Sequence, residues 1–189
     1  RGGDMIAFIN PKTMQDVGTV KVMNATLRDE YFYDLELATY DPPIGEGGIV
    51  ENLSANADFE FSGNTLNRIG GCGIAVTTRG RVRIENNKLL NTGKSGIVIG
   101  DDVTETFEGC PVRDMSIRGN AFMNCEESAI LVKPGIRKYI EPIHKNIMIE
   151  SNLFIVNNIF FRVAVTDTVC KKGTESINIT KYTSLCDIK

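Results

Sequence analysis

Three stretches decide the fold: ADFEFSGNTLNRIGGCGIAVTT (Ala57–Thr78), GRVRIENNKLLNTGKSGIVIGD (Gly80–Asp101) and RDMSIRGNAFMNCEESAILVKP (Arg113–Pro134). A fourth, KNIMIESNLFIVNNIFFRVAV (Lys145–Val165), repeats the pattern more loosely. Each copy runs apolar-x-apolar-x-x-Asn-x-(Leu/Phe), then a polar turn, then a short apolar strand. Alignment puts Asn64, Asn87, Asn120 and Asn152 in one column, at spacings of 23, 33 and 32 residues. The step of 23 residues is one coil of a parallel β-helix, in which each repeat is one turn stacked on the last. The two longer steps each carry about ten extra residues after the GIVIG-type strand, at Asp102–Val112 and Gly135–His144. Insertions recurring at one place in a repeat map to loops on one face, and that face often binds.

Period-2 alternation sets the two sides of the first strand of each copy. Phe59/Phe61, Val82/Ile84, Met115/Ile117 and Ile147/Ile149 point inward; Glu60/Ser62, Arg83/Glu85, Ser116/Arg118 and Met148/Glu150 point outward. With stacked strands ~4.8 Å apart, Glu85, Arg118 and Glu150 form an outward column of alternating sign. That column reads either as a polysaccharide groove or as a solvated, charge-complementary face that resists register slips. The asparagine column reads as a corner, because Asn tolerates the left-handed region and bonds neighbouring backbone. Leu66, Leu89, Phe122 and Phe154, two residues later, form a core column. Ile177 and Ile179 begin another coil. Short, β-branched runs separated by Asn- and Gly-containing breakers exclude a helical reading.

Residues 1–49 do not repeat. MIAFIN, VGTVKVMNATL and EYFYDLELATY read as strands, with breaks at Asn10-Pro11 and Asp41-Pro42-Pro43. The alternation of Tyr31, Tyr33, Leu35 and Leu37 points to antiparallel hairpins. The expected architecture is therefore all-β: a small antiparallel β subdomain over 1–49, then parallel β-helix coils over 50–189, about four in number, with a C-terminal cap. Pro42–Gly48 is the expected linker.

The composition excludes several function classes. Of the 189 residues 42% are hydrophobic, enough for a sizeable core, and the formal charge of -3 gives no basic field for nucleic acid or anionic membrane. No run approaches the roughly 18 apolar residues of a spanning helix, and no signal-peptide pattern is present. The chain begins at Arg1 rather than Met, which reads as a fragment or a processed product. Five cysteines without a C-x-x-C, and a single histidine, argue against a zinc site. Of the five, Cys72, Cys110, Cys125, Cys170 and Cys186, those within the repeat copies read as small buried-type residues, and the pairing of Cys170 with Cys186 is left open. No metal and no cofactor are expected.

Neither a nucleotide loop nor a nucleophile elbow is present, and His144 reads as a loop residue of the second insertion. Carboxylates are the abundant catalytic material, clustered in GDDVTETFEGCPVRD as Asp101, Asp102, Glu105, Glu108 and Asp114. Glycoside hydrolysis needs two carboxyl groups, one to protonate the leaving oxygen and one to activate water or attack. Calcium binding and a merely solvated acidic loop fit the same residues. A polysaccharide lyase would need a basic residue beside calcium-holding acids on one outward face. The outward column of the GIVIG-type strand, Ala75, Val98 and Leu131, is apolar or small and counts against it.

TTRGRVRIENN, SGIVIGDD, TFEGCPVRDMSIRGNAF and IHKNIMIESNLF together resemble the right-handed parallel β-helix enzymes of glycoside hydrolase family 110. GGDMIAFI and Gly47–Asn52 resemble the approach to these coils in that family. The resemblance implies a right-handed helix and an inverting exo-α-galactosidase. Its partner would be an oligosaccharide or glycan with terminal galactose, and its location secreted, periplasmic or cell-surface. It also implies that this chain is a C-terminal portion, inactive alone, because the family's adjacent-aspartate motif has no counterpart here and would lie in a missing N-terminal part. Asp101 and Glu108 take the places of the family pattern as candidate catalytic residues. With Asp102, Glu105, Phe107 and Arg79 they form the candidate substrate-binding set. A non-catalytic glycan-binding or structural β-helix module and a polysaccharide lyase are the alternatives.

Overall fold

The computed structural model describes residues 1–39, 45, 47–101, 109–135, 143–155, 161–163, 177–180 and 183–184. The chain forms two compact units, one built from Arg1–Asn56 and one beginning at Ala57.

The first unit is an antiparallel sheet of β1 (Met5–Ile9), β2 (Asp16–Leu27), β3 (Tyr33–Leu37) and β4 (Ile49–Asn52), in the order β3-β2-β1-β4. Ile6, Phe8, Val20 and Val22 form its core. β4 returns to pair with β1 through Ile6↔Asn52 and Ile9↔Ile49, which carries the unit beyond residue 49. The aromatic alternation of β3 does mark a hairpin, but not a buried face: Tyr31, Phe32, Tyr33 and Leu35 are exposed. The reason lies in the register. β1 covers β2 from Asp16 to Lys21, whereas β3 pairs with it from Val22 to Leu27. The outer part of the hairpin therefore has no strand of this sheet on its other edge.

The second unit is a parallel β-helix whose coils each contribute three strands. The first coil is β5 (Phe59–Ser62), β6 (Thr65–Ile69) and β7 (Ile74–Val76); the second is β8 (Arg81–Glu85), β9 (Lys88–Thr92) and β10 (Ile97–Gly100). The third is β11 (Asp114–Arg118), β12 (Ala121–Cys125) and β13 (Ile130–Lys133), and the fourth β14 (Ile147–Glu150), β15 (Leu153–Ile155) and β16 (Phe161–Val163). β17 (Ile177–Thr180) and β18 (Thr183–Ser184) open a fifth. Stacking produces three parallel sheets, β5-β8-β11-β14-β17, β6-β9-β12-β15-β18 and β7-β10-β13-β16. Ile177 and Ile179 pair with Ile147 and Ile149, as the alignment requires.

The middle sheet occupies what the sequence shows as a polar turn. Its strands KLLNT and AFMNC bury only Leu89 with Thr92, and Phe122 with Cys125. Between those inward residues Asn91 and Asn124 take left-handed φ of 55° and 52°, so strict alternation is lost.

The core is continuous through the coils. Val82, Ile84, Met115, Ile117, Ile147 and Ile149 are all buried on the first sheet, as alternation requires. Phe59 departs from it at 41% exposure, because β5 is the first rung of its sheet and pairs only with β8. Leu89, Phe122 and Phe154 stack as the core column, and the two phenyl rings lie 5.3 Å apart at 11°.

The asparagine column is a hydrogen-bond ladder between the first and second sheets, buried at Asn87, Asn120 and Asn152. The backbone N–H of Asn64, Asn87 and Asn120 each donates to Oδ1 of the asparagine one coil on, at 2.9 Å. Nδ2 of Asn87, Asn120 and Asn152 returns to the carbonyls of Phe61, Ile84 and Ile117. The left-handed residue at this corner is the one before the ladder asparagine: Gly63, Asn86, Gly119 and Ser151 have φ of 69°, 57°, 64° and 53°. The outward charges pair across rungs as alternation places them. Arg118 stands opposite Glu85 and Glu150, with Nε 3.3 Å from Glu150 Oε1.

Candidate functional site

Both insertions leave the helix at one corner, between the third sheet and the first. Strand register aligns Thr78, Asp101 and Pro134 just before that corner, and Arg79, Val112 and His144 just after it. Between the first and second coils the turn is tight, Thr78-Arg79-Gly80. Between Asp101 and Val112, and between Pro134 and His144, it is expanded.

Asp101 is the last described residue before the first insertion, and its side chain is fully buried. Its Oδ1 accepts the backbone N–H of Gly135 at 2.8 Å. The same oxygen lies 3.3 Å from His144 Nε2, itself 1% exposed, too poorly aligned for a good hydrogen bond. His144 Nδ1 accepts the backbone N–H of Val112 at 3.0 Å. A ring nitrogen that accepts carries no proton, so this imidazole is neutral and its proton sits on Nε2, facing the carboxylate. Asp101 Oδ2 is buried without a hydrogen-bond partner. His144 is thus no solvated loop residue. It sits one coil on from Val112, and burial follows from that position.

Asp102, Glu105, Phe107 and Glu108 lie outside the described residues. The returning end of their segment is described: Cys110 N–H donates to the Thr77 carbonyl at 3.0 Å. Gly109 has φ of 84°, and a β-carbon there would meet the Thr77 side chain at 2.5 Å, so this approach needs glycine. Arg79 is half-buried on the same corner, directly after Thr78.

Two adjoining clefts open beside this corner on the first two coils. One, of about 290 Å³, is lined by Asp58, Phe59, Glu60, Arg81 and Arg83. The other, of about 300 Å³, is lined by Ala57, Asp58, Phe59, Ala75, Thr77 and Thr78. Asp58 stands between them. Its Oδ1 accepts the Arg81 backbone N–H at 2.8 Å and its Oδ2 the Arg81 guanidinium at 3.1 Å. The backbone bond and then the guanidinium hold its carboxyl below the ordinary range, against a smaller opposing effect of burial. Ionised acids, guanidinium groups and a partly exposed phenyl ring in one cleft can bond hydroxyls and cover a sugar's C–H face. The alignment did not single out Asp58, Phe59 or Arg81 as site residues. The signal was the acid–base pair one coil apart, Asp58 and Arg81, whose separation equals the 23-residue repeat.

Among the described residues no group of three or more His, Cys, Asp or Glu is placed to hold a metal ion. Cys72 and Cys125 are free thiols, Cys72 only half-buried, and burial pushes the Cys125 thiol up from its ordinary value.

A family model described as the right handed beta helix region matches residues 24–184. Among curated proteins, alpha-1,3-galactosidase A of Bacteroides thetaiotaomicron is 34% identical over 157 residues, covering 80% of this chain and 27% of its own length. Alpha-1,3-galactosidase B of the same bacterium is 33% identical over 167 residues, covering 82% and 27%. Alpha-1,3-galactosidase A of Akkermansia muciniphila is 28% identical over 157 residues, covering 82% and 26%. The similarity agrees with the resemblance to glycoside hydrolase family 110 read from the coils. The chain spans 27%, 27% and 26% of the length of these three relatives.

Proposed function

We propose, from the premise that this chain belongs to the right-handed β-helix family, that it forms one wall of the sugar site of a glycoside hydrolase acting on galactose-terminated glycans. The observation that carries this reading is the similarity to proteins named alpha-1,3-galactosidase over 80% of the chain. The reaction assigned is removal of a terminal α-linked galactose with inversion. One carboxylic acid protonates the departing oxygen and a second carboxylate activates water on the opposite face. In an inverting enzyme the two stand roughly 6.5–9.5 Å apart, which leaves room for that water.

The wall runs along the corner of the insertions and the clefts beside it. Asp102, Glu105, Phe107 and Glu108 supply contacts from the first insertion, and Arg79 bonds sugar hydroxyls from the turn. Asp101 acts from beneath, because its buried carboxylate faces His144. The acid and base themselves come from aspartates of the same protein outside this chain. The reading places the protein outside the cell, secreted, periplasmic or at the surface, where such glycans occur.

The test is to incubate α-1,3-linked galactosides with the 189-residue chain and with a longer protein that contains it. The longer protein should release galactose, first as the β-anomer, and the chain alone should release none. Release by the chain alone would overturn the placement of the acid and base elsewhere. No release by the longer protein would overturn the glycosidase reading.

A further inference from the structure

We infer that Asp101 and His144 are a positioning pair, a buried carboxylate–imidazole clasp that fixes where both inserted segments leave the β-helix and where they rejoin it. Four roots meet in it. Asp101 begins the first insertion and Val112 ends it; Gly135 begins the second and His144 ends it. Asp101 Oδ1 holds the Gly135 N–H at 2.8 Å and faces His144 Nε2 at 3.3 Å. His144 Nδ1 holds the Val112 N–H at 3.0 Å, and the Lys145 N–H returns to the Val112 carbonyl at 2.9 Å. Every root is thereby tied to another across a coil.

The residue types carry the argument further than the contacts. At the other corner the same bond, a backbone N–H into a side chain one coil on, is made three times by asparagine. A neutral amide performs that structural task without burying charge. Here the chain uses an ionisable pair and leaves Asp101 Oδ2 buried without a partner. An unsatisfied buried carboxylate oxygen costs stability, and such local rule-breaking is expected where positions serve a site. The Val112 N–H bond to Nδ1 sets the orientation of the ring and turns Nε2 toward the Asp101 carboxyl, 3.3 Å away. The clasp therefore fixes the roots in one arrangement. That the wall so fixed meets a sugar rests on the glycosidase reading above; the clasp itself does not.

His144 is the chain's single histidine, so imidazole NMR reads it without assignment ambiguity. At pH 8, ¹⁵N-labelled chain should show one neutral imidazole with a proton on Nε2 that persists in water, and Nδ1 shifted as an acceptor. A proton on Nδ1, or a ring averaged between tautomers and exchanging freely, overturns the clasp.

His144→Ala should accelerate amide exchange at Val112 at least ~10-fold and loosen Gly135 through Asp101, while Asn64, Asn87 and Asn120 stay protected. His144→Asn keeps an acceptor where Nδ1 stands and can take the Val112 N–H, so it should restore most of the protection at Val112. Unchanged exchange in His144→Ala, or no rescue by His144→Asn, also overturns the proposal. If His144→Ala does not fold, the wild-type tautomer and His144→Asn still decide it. Titration with an α-1,3-galactoside separates the two claims. Wild-type protein that shows the clasp but binds no galactoside sinks the sugar reading and leaves the pair standing.

Discussion

The two corners of the first sheet solve one problem with different chemistry. Each must join a backbone N–H of one coil to an acceptor on a neighbouring coil. At the corner toward the second sheet, Asn87, Asn120 and Asn152 receive those N–H groups at a constant 2.9 Å, and no residue is inserted there. At the corner toward the third sheet the acceptors are Asp58, Asp101 and His144, and both insertions emerge between them. The amide corner is neutral and repetitive, which suits a scaffold. The ionisable corner is irregular and lies beside both clefts. Where a solenoid departs from its own rhythm, its residue types change from those that satisfy backbone to those that also carry charge.

The strongest way to break this contrast is Asn120→Ala. Asn120 makes four buried bonds, to Asn87 N, Asn87 Nδ2, the Ile84 carbonyl and Asn152 Oδ1. Its loss should cost about 3–5 kcal/mol in chemical denaturation, since buried partners are left unsatisfied on both neighbouring coils. Asp101→Ala should cost less, roughly 1–3 kcal/mol, and should weaken galactoside binding while Asn120 remains protected from exchange. Equal stability losses at the two corners would erase the distinction between scaffold and site.

The surface charges should matter least. Arg118→Ala breaks an exposed pair with Glu150 and should shift stability by less than about 1 kcal/mol, with the difference vanishing in high salt. Asp58→Asn sharpens the acid side. Asp58 is held below its ordinary value, so its contribution is present above the unfolded carboxylate pKa and is lost as pH falls through the lowered folded one. The variant should lose that small contribution near neutral pH and match the parent below the lowered value, which flattens the acid limb in a pH series of thermal melts.

Much of the scaffold was legible because a β-helix writes its geometry as spacing. Asn64, Asn87, Asn120 and Asn152, the Leu/Phe column and the alternating pairs of the first sheet each recur at the coil period, and the structure stacks them as aligned. The middle sheet was not legible, because its strands carry two inward side chains and a left-handed residue between them. That pattern is indistinguishable from a turn in one dimension. The Asp101–His144 contact was hidden for a different reason. The residues are 43 positions apart (144 minus 101) and meet only after two insertions of unequal length are placed on the register. One clue was present: His144 falls one coil after Val112, in the column that follows the corner. The acids of the first insertion mark the same corner in the sequence, while the burial of Asp101 shows only in three dimensions.

The most direct test is a map of galactoside contacts by amide chemical-shift perturbation on this chain, with a terminal α-1,3-galactoside as titrant. The shifts should concentrate at Asp58, Phe59, Thr77, Arg79 and Gly109, around the ionisable corner, and leave Asn87, Asn120 and Asn152 unmoved. Saturable shifts centred on the asparagine corner, or none at any concentration while the protein remains folded, would contradict the assignment of one corner to scaffold and the other to sugar.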